Sequence, residues 1–227
     1  MKIIGHRGAA GLALENSRAS LVAAVKQGVD MIEFDVRRTA DDHLVVIHDR
    51  GTGRVATDRL TVRKQTLATM QDSSLGNGEQ IMTLDEALDA IGSTPVIIEL
   101  KDGGSVDELL LVLERHPNSK PTIASFNHAE LRNVRRVLPD IPTFVLEHLA
   151  PIDIIHSAHN LRATGIGLNK WLMNPLTYEL ARHYRLQLYV YTVNNVPLAR
   201  FLHALYPDVH LCTDRPERLL KKFPSRV

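Results

Sequence analysis

Glu33 and Asp35 stand two residues apart in the run Met31-Ile32-Glu33-Phe34-Asp35-Val36, and Glu99 and Lys101 repeat that spacing after Val96-Ile97-Ile98. On an extended strand, residues two apart share a face. Each pair therefore points one way, while Ile32, Phe34 and Val36, and likewise Val96, Ile98 and Leu100, point the other. Three carboxylates turned into one space repel one another and are costly to desolvate. A divalent cation is the simplest remedy, and an all-oxygen donor set suits Mg²⁺ or Ca²⁺. Taken alone, the Glu33–Asp35 pair is equally well explained by ion pairs with Arg7 or Lys101 that merely fill space. Glu99 at a second strand end makes metal binding the better reading.

Two of the eleven histidines, His6 and His48, follow apolar strand-like runs and should reach the same carboxylates. An imidazole titrates near neutrality, so one ring can accept a proton while the other donates one, as phosphodiester cleavage requires. The remaining histidines are read as ordinary hydrogen-bonded residues. Arg7 offers forked donors for a phosphate, and Lys101 adds a point charge. A salt bridge from Arg7 to Glu15 is compatible with that role.

Positioning these residues is the task of an alternating pattern. Short β-branched runs predict strands at 2–5, 31–36, 95–100, 122–125, 142–147, 165–168, 188–192 and 209–213. Segments of helical period lie between them, at 17–26, 83–91, 106–115, 128–138, 152–159, 175–184, 197–205 and 216–223. Asn16 is the expected cap of the first helix and Gly28 its expected end. Pro175, Pro197 and Pro216 fit first turns. Strand–helix alternation implies a parallel sheet with crossover helices. Eight such units favour closure into a (β/α)8 barrel, with an open doubly wound sheet as the structural alternative. In a barrel, the strands' C-terminal ends carry the site.

One segment breaks the alternation. Leu44 to Ile47 is strand-like but follows Val36 too closely for a parallel crossover, so it must return as a hairpin. That flap brings His48 back to the barrel mouth. Residues 50–80 are polar and read either as a short insertion over the mouth or as a loose loop. Trp171 follows the sixth barrel strand, where it either walls the mouth or packs on the next helix. The strip Leu109 to Leu113 reads as a buried helix face.

Bulk properties set limits on all of this. A chain of 227 residues with 44% hydrophobic and 23% charged residues can bury a core in a single domain spanning 1–227, with the insertion at about 37–80. The net charge of +1 gives no footing to a general nucleic-acid or membrane-surface binder. A single cysteine, Cys212, excludes an internal disulfide. No apolar run suits a signal peptide or a spanning helix, so the expected location is the cytoplasm.

The order His6-Arg7-Gly8, Glu15-Asn16-Ser17, Glu33-x-Asp35, His48-Asp49, Glu99-x-Lys101 resembles the glycerophosphodiester phosphodiesterase family, in its cytosolic bacterial form. Val190-Tyr191-Thr192-Val193-Asn194 and Thr213-Asp214-Arg215-Pro216 carry the likeness almost to the C-terminus. The resemblance implies a (β/α)8 TIM barrel whose second strand bears a flap. It implies metal ligands at Glu33, Asp35 and Glu99, with His6 and His48 as the acid–base pair. Glu15, Asn16, Tyr191 and Asn194 join the wider site on the same grounds. The implied reaction is cleavage of a small glycerophosphodiester to sn-glycerol 3-phosphate and an alcohol. A lysophospholipase D or phosphoinositide-type enzyme is the rival on the same barrel, and a non-catalytic glycerol-phosphate-binding barrel the rival from another class. Ser17 and Tyr191 depart mildly from the family's usual Thr and Trp, and Ser74-Leu75-Gly76-Asn77 stands where relatives often carry an aromatic.

Overall fold

The structure is a computed structural model and describes residues 1–147 and 152–223. Eight parallel strands form a closed barrel: β1 (Ile3–His6), β2 (Met31–Arg38), β4 (Val96–Leu100), β5 (Pro121–Ser125), β6 (Thr143–Glu147), β7 (Gly165–Asn169), β8 (Gln187–Tyr191) and β9 (His210–Thr213). Pairing of β1 with β2 closes the ring. Helices α1 (Arg18–Gln27), α3 (Leu84–Ile91), α4 (Val106–Arg115), α5 (His128–Val137), α6 (Asp153–Asn160), α7 (Pro175–His183), α8 (Val196–Leu205) and α9 (Pro216–Leu220) make the crossovers. The predicted elements hold to within about three residues at their ends, the usual fraying of boundaries. No helix among the described residues is long and apolar enough to cross a membrane.

Alternation along the strands divides the core into two layers. Ile32, Phe34, Val36, Val96, Ile98 and Leu100 face outward into the layer packed against the helices. Ile4, Met31, Ile97, Ala124, Phe144 and Tyr189 fill the barrel interior. Phe144 and Tyr189 stack there with ring centroids 5.7 Å apart. They fit because β7 offers glycine on that side: a Cβ on Gly165 would lie 2.7 Å from Phe144, and one on Gly167 2.5 Å from Tyr189.

The flap exists as predicted. β3 (Leu44–Val46) pairs antiparallel with β2, Val36 opposite Val46 and Arg38 opposite Leu44. The insertion after it is folded. It contains a 3-10 turn at Val62–Lys64 and α2 (Leu67–Asp72), and it buries Val45, Ile47, Val55, Val62, Met70, Leu75 and Ile81 in a cluster of its own. Apolar positions spaced too widely for either period produce this core, which is why the sequence pattern does not reveal it.

Two expectations require correction. Ser17, not Asn16, caps α1, accepting from the Ser20 N–H, while Gly28 ends the helix in the left-handed region at φ 73° as expected. Asn16 turns inward at φ 56°, and its amide donates to Asp35 Oδ2 at 2.9 Å. Serine and asparagine cap almost equally well. The hydrogen bond to the buried Asp35 carboxylate takes up the Asn16 side chain and leaves the cap to Ser17. In α4, Leu109 and Val112 are buried but Leu111 is 50% exposed. Five consecutive residues span more than a full helical turn, so one of them must face outward.

At the opposite end of the barrel from the carboxylates, His210 Nδ1 accepts the Lys2 N–H at 3.3 Å. Burial, reinforced by the Lys2 charge, pushes its pKa down from 6.5 to about 4. The unfolded chain therefore binds more protons between those values, and stability present above pH 6.5 is lost as the pH falls towards 4. The loss should be on the order of 2–3 kcal/mol. Measured as Tm at pH 7 minus Tm at pH 5, it should shrink in His210→Gln; an unchanged difference would refute the assignment.

Candidate active site

Strand register brings the site together. In the β1–β2 ladder His6 lies beside Glu33, and in the β2–β4 ladder Asp35 lies beside Glu99. Glu33, Asp35 and Glu99 are 3%, 1% and 8% exposed, and one oxygen from each falls within 4.8 Å of the others. The Lys101 ammonium lies 2.9 Å from Asp35 Oδ1 and also bonds Glu99. Arg7 gives its backbone N–H to Glu33 Oε2 at 3.0 Å, and its Nε lies 3.4 Å from Asp35 Oδ2. Its Nη1 donates to Glu15 at 2.7 Å, so the salt bridge anticipated between them is present.

The three carboxyls are electrostatically unequal. Burial opposes ionisation of Asp35, yet Lys101 and Arg7 hold it well below the usual carboxylate range. Burial and the Asp35 charge push Glu33 up, and the same two causes raise Glu99 to about 8. Two of the three are therefore hard to ionise with only these cations present. Additional positive charge among their oxygens would relieve that cost. Donor type, spacing and charge deficit fit a hard divalent cation.

Each histidine is oriented by an aspartate. His6 Nδ1 lies 2.6 Å from Asp214 Oδ1, leaving Nε2 on the Glu33 side at 3.9 Å. His48 Nδ1 lies 2.7 Å from Asp49 Oδ1. Burial works against charging His6, but the Asp214 hydrogen bond and the Glu33 field raise its pKa. Burial also lowers that of His48, and although Asp35 opposes this, Lys101 helps it prevail. Opposite shifts favour one ring as acid and the other as base at a common pH.

His6, Arg7, Glu33, His48, Glu99 and Lys101 line one pocket of about 410 Å³, with Phe126, Tyr189 and Tyr191 on its apolar side. Tyr191 donates its hydroxyl to the Glu147 carbonyl at 3.3 Å. Asn194 lies behind the site, donating to Asp214 Oδ2 at 2.6 Å. Trp171 is not brought in: it is 77% exposed, with the Lys170 ammonium 5.5 Å from its ring. It stands in the 3-10 turn Lys170–Leu172 after β7, its backbone N–H donating to Asn169 Oδ1 at 3.1 Å.

Asp49, Asp214, Arg37 and Phe126 were not singled out by type and spacing. Asp49 and Asp214 sit inside quoted motifs, and an acid next to a candidate histidine was a usable signal for Asp49. Arg37 Nε donates to the His48 carbonyl at 2.8 Å while Nη1 donates to Asp102 Oδ1 at 2.7 Å. It thereby ties the flap to the segment after β4.

Residues 6–218 match the model of the glycerophosphoryl diester phosphodiesterase family. The chain is 30% identical over 236 residues to a glycerophosphodiester phosphodiesterase of Caldanaerobacter subterraneus subsp. tengcongensis, covering 96% of each. Among solved structures it resembles a Parabacteroides distasonis glycerophosphodiester phosphodiesterase, with 26% identity, a TM-score of 0.84, and 97% and 95% of the two chains covered. It also resembles an Oleispira antarctica phosphodiesterase solved with the product sn-glycerol-3-phosphate, with 24% identity, a TM-score of 0.93, and 99% and 97% covered. The chain with this barrel and this acidic, histidine-flanked pocket is a phosphodiesterase and belongs to the glycerophosphoryl diester phosphodiesterase family.

Proposed function

We propose that the enzyme hydrolyses small glycerophosphodiesters to sn-glycerol 3-phosphate and an alcohol, with His6 and His48 as the acid–base pair and a Mg²⁺ or Ca²⁺ ion held by Glu33, Asp35 and Glu99. The product complex of the Oleispira antarctica relative supports the glycerol phosphate half of the substrate. The observation that carries the reading is one pocket shared by two aspartate-oriented imidazoles, three carboxylates and a phosphate-ready guanidinium. Arg7 Nε pairs with Asp35 at 3.4 Å but is buried without a hydrogen bond, so its donor capacity is not spent within the site. Lys101 adds charge from the other side. One imidazole takes the proton of the attacking hydroxyl, and the other gives a proton to the departing alcohol. A divalent cation bound to the carboxylates supplies positive charge against the negative charge that grows on the phosphate oxygens. The apolar wall of Phe126 and Tyr191 excludes water from part of the pocket. Residues 1–227 act as one domain, in which the insertion delivers His48.

The test is a metal-stripped sample assayed for glycerol 3-phosphate release from glycerophosphocholine and its ethanolamine analogue. Release should vanish on stripping and return with Mg²⁺ or Ca²⁺. No release with either ion would end the hydrolytic reading and favour a binding barrel.

A further inference from the structure

Arg54 belongs to the insertion, lies outside the pocket lining, and has a side chain that is 49% exposed. Its three nitrogens are nevertheless all engaged. Nε donates to Asp49 Oδ2 at 2.6 Å, while Nη1 and Nη2 donate to the two oxygens of Glu15 at 2.7 Å each. Glu15 in turn accepts from Arg7 Nη1, and Asp49 Oδ1 meets His48 Nδ1, both at 2.7 Å. The result is an unbroken row of alternating charge from Arg7 through Glu15, Arg54 and Asp49 to His48.

An exposed ion pair contributes little to stability, typically under about 1 kcal/mol. A planar fork engaged on one carboxylate, with a third donor on another, instead contributes fixed geometry. The Arg54 hydrogen bond is also the main cause that lowers Asp49 to about 2, keeping it ionised beside the imidazole. Glu15 lies between β1 and α1 and Asp49 just after the flap, and among the described residues Arg54 is the side chain that hydrogen-bonds to both.

We propose that, in the hydrolysis assigned above, Arg54 is a positioning residue that fixes at once the Glu15 carboxylate aiming Arg7 and the Asp49 carboxylate orienting His48. The phosphate grip and one proton-transfer group are thereby held in register by a side chain that touches neither substrate nor cation.

The test compares Arg54→Ala, Arg54→Lys, Asp49→Asn and the double variant Asp49→Asn/Arg54→Ala. Arg54→Ala should lower kcat about 10–100-fold, with cation affinity and Tm close to wild type. Arg54→Lys should recover only part of this, because one ammonium does not span both carboxylates. In the Asp49→Asn background, Arg54→Ala should lower kcat by a smaller factor than it does alone. An NMR titration of the His48 ring supplies a readout independent of turnover. Asp35, Lys101 and Arg7 also face that ring and are unchanged in the variant. Its midpoint should move downward in Arg54→Ala, because an Asp49 carboxylate no longer fixed by the fork gives up the hydrogen bond that raises it, whereas mere loss of a nearby positive charge would move it upward. A kcat within about twofold of wild type, or factors that multiply fully in the double variant, or a His48 midpoint unmoved or moved upward, would each overturn the proposal. Should Arg54→Ala fail to fold, Arg54→Lys carries the same comparisons. Wild-type protein that releases no glycerol 3-phosphate would sink the hydrolysis itself, and the His48 titration would still decide the role of Arg54.

Discussion

Alanine at His6 or at His48 removes most turnover, lowering kcat for glycerol 3-phosphate release by about 10²–10⁴-fold. Each ring is held by its Nδ1 on an aspartate, so the other nitrogen is the one available to a reacting oxygen. That contact matters in the transition state far more than in substrate binding, so kcat and kcat/KM should fall together. Cation affinity, measured by calorimetry, should stay within about threefold of wild type, because neither ring is among the proposed oxygen donors. Truncating His6 leaves Asp214 bonded to Asn194, so the fold should survive the change. Retained turnover in either variant, or a collapse of cation binding in both, sinks the assignment.

The carboxylates should divide into two kinds when each is converted to its amide. Glu99 titrates near 8 in the folded chain against an ordinary 4.5. The folded state thus binds more protons through that window, and the cation-free protein loses stability as the pH rises across it. Glu99→Gln removes the loss, so at pH 8 without cation its Tm should exceed that of wild type, by about 2–4 °C for each kcal/mol relieved. Asp35 behaves oppositely. Its ionised form is held by Lys101 and Arg7, and Asp35→Asn leaves both cations short of a partner. That variant should melt below wild type. Saturating Mg²⁺ or Ca²⁺ should then reverse the first ordering: ligand at a hundredfold its Kd adds about 2.7 kcal/mol to wild type, and a variant with a lost donor gains less. Equal cation-induced shifts in wild type, Glu99→Gln and Asp35→Asn would remove the ion from these residues. Melting curves decide the matter without any substrate.

Both sets of expectations depend on contacts that differ in how far the chain itself announces them. The shared face of Glu33 and Asp35 follows from a repeat of two along one strand, and their outward neighbours are found in the helix-facing layer as that repeat requires. The flap follows equally from local spacing, because seven residues do not make a parallel crossover. The ion pair from Arg7 to Glu15 was also legible, being a short turn between opposite charges. The roles read for His6, His48 and the acidic trio from residue type and spacing are the ones a resemblance to a known family also implies, and the family match shows the membership.

What escaped the linear pattern is what packing alone creates. Asp214 meets His6 across 208 residues, and no periodicity carries information over that distance. Asn16 and Ser17 are near-equal caps by type, so the tie was broken by a carboxylate on another strand. Trp171 is left exposed on the turn after β7, although its position in the chain suits a pocket wall equally well. Arg54 is by type one more charge in a polar insertion, and its three nitrogens meet two carboxylates only in the folded chain. By itself, then, the sequence determined the alternation of elements, the face each acidic residue takes and the return of the flap, since these depend on periods of two and 3.6 and on short spans. Only the tertiary structure decided which ladder aligns Glu99 with Asp35, which acids hold the imidazoles and which arginine binds them into one frame. Those contacts form when distant segments close on each other and satisfy buried charge, a condition no local pattern encodes.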